Sequence, residues 1–255
     1  MVIKSDSERE ALIEGGKRLG AILQALKARV APGVTAKELD SLAEELIRAG
    51  GDEPCFLNYT PEGAPRPYPA ALCVSINDEV VHGIPNESVK VLKEGDIVGL
   101  DLGLRHDGIV VDAALTVAVG QVSDESLRLM RATENALAAG IAAAKAGGRV
   151  GDIGAAIQKE IEGAGFKVIK ELGGHGVGDK VHEEPFISNY GHPGTGAELV
   201  EGMVLALEPI SSAGKAAVIV ASDGYTFRTK DGSRSAHFEH TILLEAGGAR
   251  VITEP

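Results

Sequence analysis

An internal repeat constrains the fold of this chain more than any other feature of its sequence. Residues 81–85 read VHGIP and residues 181–185 read VHEEP, so the two segments share the pattern V-H-x-x-P. Residues 94–101 (EGDIVGLD) and 201–208 (EGMVLALE) likewise share an E-G pair, an apolar run and a final carboxylate. Motifs repeated in the same order predict two similar halves about a pseudo-twofold axis, with the two carboxylates facing each other across one cleft.

The predicted secondary structure is doubled in the same way. Amphipathic patterns predict a helix at residues 6–29 and a second helix that begins at the capping box of Thr35 and Glu38. Short β-type runs follow, then two further helices near residues 123–146 and 152–163, and then β-type runs again. This order of elements predicts an α+β fold.

The repeat also bears on domain organisation. No stretch rich in proline, serine or charge separates the two halves. We therefore expect a single domain over residues 1–255, with pseudo-symmetric halves of about 1–120 and 121–255.

Composition excludes several classes of protein. Hydrophobic residues make up 44% of the chain and charged residues 24%, and no apolar run approaches the roughly 20 residues of a membrane span. The net charge of -12 disfavours nucleic acid as a main partner. Two cysteines are too few for a disulfide framework, and the start of the chain reads as a helix rather than a leader, so we expect a cytoplasmic location.

Two aspartates interrupt the apolar strands of a predicted hairpin. Asp101 lies in IVGLDLGL and Asp112 in GIVVDAAL, with the turn Asp107-Gly108 between them. An antiparallel hairpin sets such carboxylates side by side, and like charges that close need a cation or a shared proton. The alternative interpretation is a turn carboxylate and a solvent-facing strand residue with no shared role.

The second half contains the same kind of residues. Glu208 in VLALEPI and Glu239 in SAHFEHTILL are again acids within apolar strands, and His175 lies in the glycine-rich GGHGVG. An isolated histidine is more often structural, but four acids that need a cation favour a ligand role. Four carboxylates and one imidazole suit two divalent cations, such as Mn, Fe(II) or Co, with Zn as a further candidate. Two such metals activate water and polarise a carbonyl, which indicates a hydrolase.

Other catalytic machinery is weakly represented. No G-x-S-x-G elbow marks a serine nucleophile, and Cys73 has no evident activating context. No glycine-rich phosphate loop opens a helix after a strand. Metal-dependent hydrolysis is therefore the favoured chemistry.

Several ordered motifs together resemble the methionine aminopeptidases, specifically the short bacterial type I form. They are SINDEVVHGIP, the hairpin from Asp101 to Asp112, GGHGVG followed by VHEEP, GMVLALEPI and SAHFEHTILL, and they cover nearly the whole chain. The resemblance implies the pita-bread fold, in which two related αβ halves enclose a dinuclear metal cleft. It also implies an enzyme that removes the N-terminal methionine of peptides and nascent proteins through attack by a metal-bridging hydroxide.

The resemblance further assigns roles to individual residues. The five implied metal ligands are Asp101, Asp112, His175, Glu208 and Glu239. Among them, Asp112 and Glu239 would bridge the metals, and Glu208 would also take the proton of the attacking water. His82 would hydrogen-bond near the scissile amide, and His182 would stabilise the oxyanion of the tetrahedral intermediate.

The departures from the family lie in the substrate pocket. The segment NYTPEGAPRPYPA before Cys73 replaces a shorter family segment, with Arg66 where a histidine would align. Val181 replaces a larger apolar residue, Tyr225 stands where some members carry Trp, and Gly103 stands where a threonine often supports the first aspartate. The residues expected to line the side-chain pocket are Tyr59, Tyr68, Cys73 and Tyr225.

Two other functions stay open at this point. The altered pocket loop is compatible with a related dinuclear-metal aminopeptidase of other specificity, such as the X-Pro type. Relatives of this fold that have lost metal ligands act as binding modules, although such a chain should show broken ligand positions and this one shows none. The expected partners are N-terminal methionine of peptides and nascent chains, with the ribosome as a further candidate. We expect a monomer with no membrane role and no direct role on nucleic acid.

Overall fold

The structure is a computed structural model that describes residues 1–61 and 63–254. The helices of this part of the chain are α1 (Asp6–Arg29), α2 (Ala36–Ala49), α3 (Asp124–Ala143) and α4 (Val150–Gly163). Each predicted helix is confirmed to within a few residues. No helix in the described ranges is both long and apolar enough to cross a membrane.

The strands belong to one large sheet and two small ones. In chain order they are β1 (Glu53–Pro54), β2 (Leu72–Ile76), β3 (Glu79–Val81), β4 (Ile97–His106), β5 (Ile109–Ala118), β6 (Lys167–Val168), β7 (Gly173–Gly176), β8 (Glu183–Ser188), β9 (Val204–Leu207), β10 (Ile210–Ser212), β11 (Val218–Val220), β12 (Phe227–Thr229), β13 (Ser235–His237), β14 (Glu239–Glu245) and β15 (Gly248–Val251).

Capping fixes where the second and fourth helices begin. In α2 the Thr35 hydroxyl accepts from the amide of Glu38 at 3.2 Å, and the Glu38 carboxylate accepts from the amide of Thr35 at 2.7 Å. The helix α4 begins two residues earlier than predicted, because Asp152 accepts from the amide of Arg149 at 2.7 Å and so caps the first turn instead of opening the helix.

The large sheet carries the internal symmetry of the sequence. Its nine strands pair antiparallel, with β2, β4 and β5 on one side of the centre and β14, β9 and β7 on the other. Each half thus contributes an outer, a middle and a central strand, and β5 meets β14 at the seam. Helix α1 packs on β4 and β5 of the first half, whereas α3 and α4 pack together on the second. This arrangement is the two-halved α+β sheet that the repeat predicted.

Two threonines join the halves where β5 meets β14. At the centre of the seam Ala114 pairs with Glu239. Thr241 lies two residues beyond Glu239. Its hydroxyl accepts from the amide of Asp112 at 2.9 Å and donates to the Asp112 carbonyl oxygen at 2.7 Å. Thr116 lies two residues beyond Ala114. Its hydroxyl accepts from the amide of His237 at 2.9 Å and donates to the His237 carbonyl oxygen at 2.8 Å. We call each threonine with its two hydrogen bonds a clamp, and the junction of β5 and β14 the seam. A twofold rotation that exchanges the two halves also exchanges the two clamps, so the pseudo-twofold axis passes through this seam.

Candidate metal centre

The predicted metal ligands lie on one face of the large sheet. The register places Asp101 opposite Ala114 and Ala114 opposite Glu239, so these residues form one row across β4, β5 and β14. Asp112 lies two residues from Ala114 on the same strand and therefore points to the same face. Glu208 directly follows β9, the strand beside β14. Alternation along adjacent strands thus gathers the four carboxylates.

This face forms the floor of a pocket whose empty space, including the part open to solvent, is about 510 Å³. The pocket brings together all the metal ligands, both histidines and all the pocket residues expected from the sequence. Its lining consists of Phe56, Tyr59, Pro61, Tyr68, Cys73, His82, Asp101, Asp112, His175, His182, Glu208, Tyr225 and Glu239. Phe56 and Pro61 were not predicted, because an apolar residue in a loop carries no distinguishing sequence signal. The individual roles of the predicted residues stay predictions.

Three of the carboxylates each contain a buried oxygen that the protein leaves unpaired. Asp101 Oδ1, Asp112 Oδ1 and Glu239 Oε1 have no hydrogen-bond partner within residues 1–61 and 63–254. Burial raises the pKa of Asp101 to about 7, and burial followed by repulsion between the acids raises the pKa values of Asp112 and Glu239 well above their usual range. A group of this kind requires either protons or cations.

The donor set fits divalent metal ions. Asp112, His175 and Glu239 each offer a ligand atom, and these atoms lie within 4.8 Å of one another. Oxygen ligands with one imidazole are typical of Mn, Fe, Co or Zn sites in hydrolases. The unpaired carboxylate oxygens supply the negative charge that such ions need, so the residues present fit a metal centre.

His175 is prepared as a ligand by its own backbone. Its Nδ1 lies 2.9 Å from the carbonyl oxygen of Gly176, and because a carbonyl only accepts, Nδ1 carries the proton. The Nε2 atom therefore has a free lone pair, and it lies 3.8 Å from Glu208 Oε1. The flanking glycines are required, since a Cβ at Gly174 would lie 2.3 Å from the carbonyl oxygen of Ala206 on β9.

Glu208 is the exception among the acids of the pocket. Burial favours its neutral form, but the His237 imidazole 3.4 Å away, together with that of His175, lowers its pKa below the usual value. The side-chain amide of Asn189 holds the backbone by donating to the Glu208 carbonyl oxygen at 2.9 Å. Glu208 thus stays ionised and is suited to accept a proton.

His237 is a functional neighbour that the sequence interpretation missed. Its Nε2 lies 3.4 Å from Glu208 Oε2 and 3.6 Å from Glu239 Oε2, and the residue is only 3% exposed. A signal was present, because His237 precedes Glu239 by two positions in SAHFEH and alternate strand residues share a face. The ring thus lies between two carboxylates, and its Nε2 atom has no hydrogen-bond partner among the described residues.

The histidines of the repeated V-H-x-x-P motif both line the pocket, but from different local structures. His82 follows β3 with a positive φ of 57°, whereas His182 precedes β8. Desolvation lowers the pKa of each ring to about 4, even though His182 is exposed over part of its surface. Both rings are therefore neutral near pH 7 and each carries one N–H donor.

Aromatic residues form the wall of the pocket beside the carboxylates. The rings of Tyr68 and Tyr225 meet edge to face with centroids 5.2 Å apart. The Tyr225 hydroxyl donates to the carbonyl oxygen of Arg66 at 2.5 Å, and the Arg66 guanidinium pairs with Glu87 at 2.5 and 2.7 Å. The longer segment before Cys73, which distinguishes this chain at the sequence level, thus forms part of the wall.

The residues packed against Gly103 explain why this position carries glycine and not threonine. A Cβ at this position would lie 2.5 Å from Cys55 Sγ and 2.8 Å from Phe56 Cε1. Cys55 and Phe56 therefore fill the space that a larger residue at position 103 would occupy. Gly103 also pairs with Asp112 across the hairpin, so Cys55 and Phe56 pack on the same face of the sheet as the carboxylates.

Comparison with known proteins agrees with this geometry. Residues 10–246 match the profile of metallopeptidase family M24. The chain is 43% identical to a methionine aminopeptidase of Aquifex aeolicus, covering 98% of this chain and 97% of the relative. It is 41% identical to that of Clostridium perfringens, covering 99% and 98%.

Solved structures give the same result for the fold. The crystal structure of methionine aminopeptidase from Thermotoga maritima superimposes with a TM-score of 0.94 at 43% identity, covering 100% of both chains. The prolidase of Pyrococcus furiosus, at 21% identity and a TM-score of 0.75, shares the fold and is covered over 66% of its length. The pita-bread fold and the use of divalent metal are thereby established. The chain belongs to metallopeptidase family M24 and, within it, to the methionine aminopeptidases.

Proposed function

We propose that this chain removes the N-terminal methionine from peptides and nascent chains with two divalent cations in the pocket. The observation that carries the proposal is the group of unpaired, buried carboxylate oxygens beside a wall of tyrosines. The full-length similarity to methionine aminopeptidases supports the same activity. An unbranched thioether side chain suits a pocket of this kind, because sulfur makes favourable contacts with aromatic edges.

The five ligands of the proposed metals are Asp101, Asp112, His175, Glu208 and Glu239. When bound, two cations lower the pKa of water and polarise the scissile carbonyl. Glu208, whose pKa is lowered by the neighbouring histidines, accepts the proton of the attacking water. Neutral His182 donates to the oxygen on which charge develops, and His82 hydrogen-bonds near the scissile amide.

The proposal extends to the metal, the location and the assembly. We assign Mn, Fe(II) or Co as the working metal, with Zn as a further candidate, because the ligands are mostly carboxylates. Both cysteines are free thiols, in keeping with a cytoplasmic location. We also propose a monomer that acts as one catalytic domain, with halves of about 1–120 and 121–255, and meets nascent chains at the ribosome.

The deciding experiment compares peptide substrates on chelator-stripped protein. Met-Ala-Ser, Leu-Ala-Ser and Ala-Pro-Ser are incubated separately after resupply of Mn(II), Fe(II) or Co(II), and the released amino acid is quantified. Metal-dependent release from the methionine peptide alone is expected. Asp112→Asn serves as the matched control, since it removes one ligand charge while keeping the side chain's shape.

The alternatives predict different results in the same assay. Preferred cleavage of Ala-Pro-Ser would indicate an X-Pro enzyme, a function that the methionine aminopeptidase relatives do not favour. If none of the three peptides is cleaved with any of the metals, the result would indicate a binding module. The metal content of the protein, measured in parallel, separates an inactive metalloprotein from one that binds no metal.

A further inference from the structure

Tyr59 touches the one pocket histidine that is open to solvent. Its hydroxyl lies 3.0 Å from Nδ1 of His182, and the two ring centroids are 5.6 Å apart with a tilt of 38°. The His182 ring also contacts that of His175, with the ring centroids 4.5 Å apart and the planes inclined at 65°. In the first copy of the repeated motif, His82 packs edge-on against Phe227. The hydroxyl contact is thus a feature of the second copy.

Local backbone bonds hold Tyr59 in this position. The amide of Tyr59 donates to the carbonyl of Phe56 at 3.0 Å, and its own carbonyl accepts from the amide of Tyr68 at 2.8 Å. The amide of Asn58 donates in turn to the Tyr68 carbonyl at 2.9 Å. These bonds pin the base of the longer loop before Cys73, so the hydroxyl is presented to His182 by ordered backbone.

The contact of the Tyr59 hydroxyl with Nδ1 limits which nitrogen of the His182 ring can carry the proton. A neutral ring has one nitrogen that donates and one that accepts, and the direction of the hydrogen bond at Nδ1 determines which nitrogen is which. If the Tyr59 hydroxyl donates to Nδ1, the proton of the ring lies on Nε2. Because Nδ1 is occupied by Tyr59, Nε2 is then the ring nitrogen that can donate to a substrate oxygen.

We propose that Tyr59 is a positioning residue that holds His182 in the tautomer protonated on Nε2 and aims that N–H at the substrate. The inference rests on the proposed function for the role of His182, but the hydrogen bond itself does not depend on activity. Tyr59 acts through His182 and needs no contact of its own with the reacting atoms.

The first test reads the tautomer directly. Nitrogen-15 spectra of histidine-labelled, zinc-loaded protein separate the two neutral tautomers, and His182→Ala identifies the signal to follow among the 7 histidines. We expect an acceptor shift at Nδ1 and a protonated Nε2, with loss of this preference in Tyr59→Phe. A wild-type signal with the proton on Nδ1 would overturn the proposal.

The second test is kinetic and uses the Mn(II)-loaded enzyme with Met-Ala-Ser. Tyr59→Phe should lower kcat roughly three- to tenfold, the usual range for one lost hydrogen bond, with KM changed less than about twofold. Tyr190→Phe is the matched control, because Tyr190 is 37% exposed and outside the pocket lining.

A double variant separates positioning from direct substrate binding. In the His182→Ala background, Tyr59→Phe should cause no further loss of kcat, because the residue through which it acts is gone. An equal loss in both backgrounds would show that Tyr59 acts on the substrate itself, and the proposal would fail. If the wild type cleaves no methionine peptide, the proposed function fails, while the nitrogen spectra still decide the hydrogen bond.

Discussion

At the scale of single residues, the pocket shifts the pKa values of its four acids in opposite directions. Burial raises the pKa values of Asp101, Asp112 and Glu239, whereas neighbouring histidines lower that of Glu208. Neutral His182 stands at the mouth as a donor. In the proposed function, the first three acids bind cations, Glu208 both binds a cation and accepts a proton, and His182 stabilises the oxyanion.

His182→Ala should reduce kcat about a hundred- to a thousandfold, because an oxyanion donor acts mainly in the transition state. Metal content, measured by atomic emission, should stay at the wild-type value, since His182 is not among the proposed ligands. His192→Ala, a substitution at an exposed residue away from the pocket, should leave both quantities unchanged. Loss of metal from His182→Ala would refute the assigned role.

Gly103→Ala should destabilise the protein by about 1–3 kcal/mol, because the added Cβ meets Cys55 Sγ at 2.5 Å. Urea unfolding measures the change. Gly99→Ala on the same strand is the control, since its Cβ meets only ordinary contacts at 3.7 Å. The added variant Cys55→Ala should recover part of the loss, and a failure to recover would place the strain at Phe56 instead.

At the scale of elements, two side-chain clamps add to the main-chain pairing of β5 with β14, where the two halves meet. The clamps of Thr116 and Thr241 each satisfy a buried amide and carbonyl on the opposite strand. One clamp holds the backbone of Asp112 and the other that of His237, so the seam also sets the spacing of the metal centre.

Thr241→Val should lower the free energy of unfolding by about 2–4 kcal/mol, since a near-isosteric change leaves a buried N–H and C=O unpaired. Affinity for Mn(II), measured by calorimetry, should weaken as well because Asp112 loses its support. Thr133→Val is the comparison, as Thr133 is buried in α3 away from the seam. Thr133→Val should lower stability without changing the affinity for Mn(II). If Thr241→Val and the wild type bind Mn(II) equally well, the seam does not support the metal centre.

At the scale of the whole molecule, the acids of the metal centre determine how the stability of the fold depends on pH. Without cations, the folded protein holds Asp101 with a pKa of about 7, above the value of about 3.9 for an aspartate in an unfolded chain. Between these values the folded state binds more protons than the unfolded state, so rising pH favours unfolding. Cations remove this effect by compensating the carboxylates.

Chelator-stripped protein should therefore lose thermal stability between pH 5 and 7.5, by at least about 5 °C in Tm. Protein loaded with Mn(II) should keep a nearly constant Tm over the same range. Calorimetric scans of both forms test this, with Asp101→Asn in the stripped state expected to flatten the curve. Parallel curves for stripped and loaded protein would show that the carboxylates do not carry the effect.

The sequence alone determined the repeat, the four helices, the Asp107-Gly108 hairpin turn and the acids within apolar strands. These features are local, because strand alternation, capping and turn chemistry are written in neighbouring residues. The family resemblance could then be drawn from ordered motifs, each of which is a local pattern. The doubled order of strands followed from the same local information.

Only the tertiary structure decided which distant residues meet. The contact of Tyr59 with His182 spans 123 positions, and the clamps of the seam span 129 and 121. His237 acquires its place between Glu208 and Glu239 from the register of packed strands, and Cys55 fills the space beside Gly103 in the same way. Such contacts depend on strand register and side-chain packing, and these are settled by burial across the whole fold.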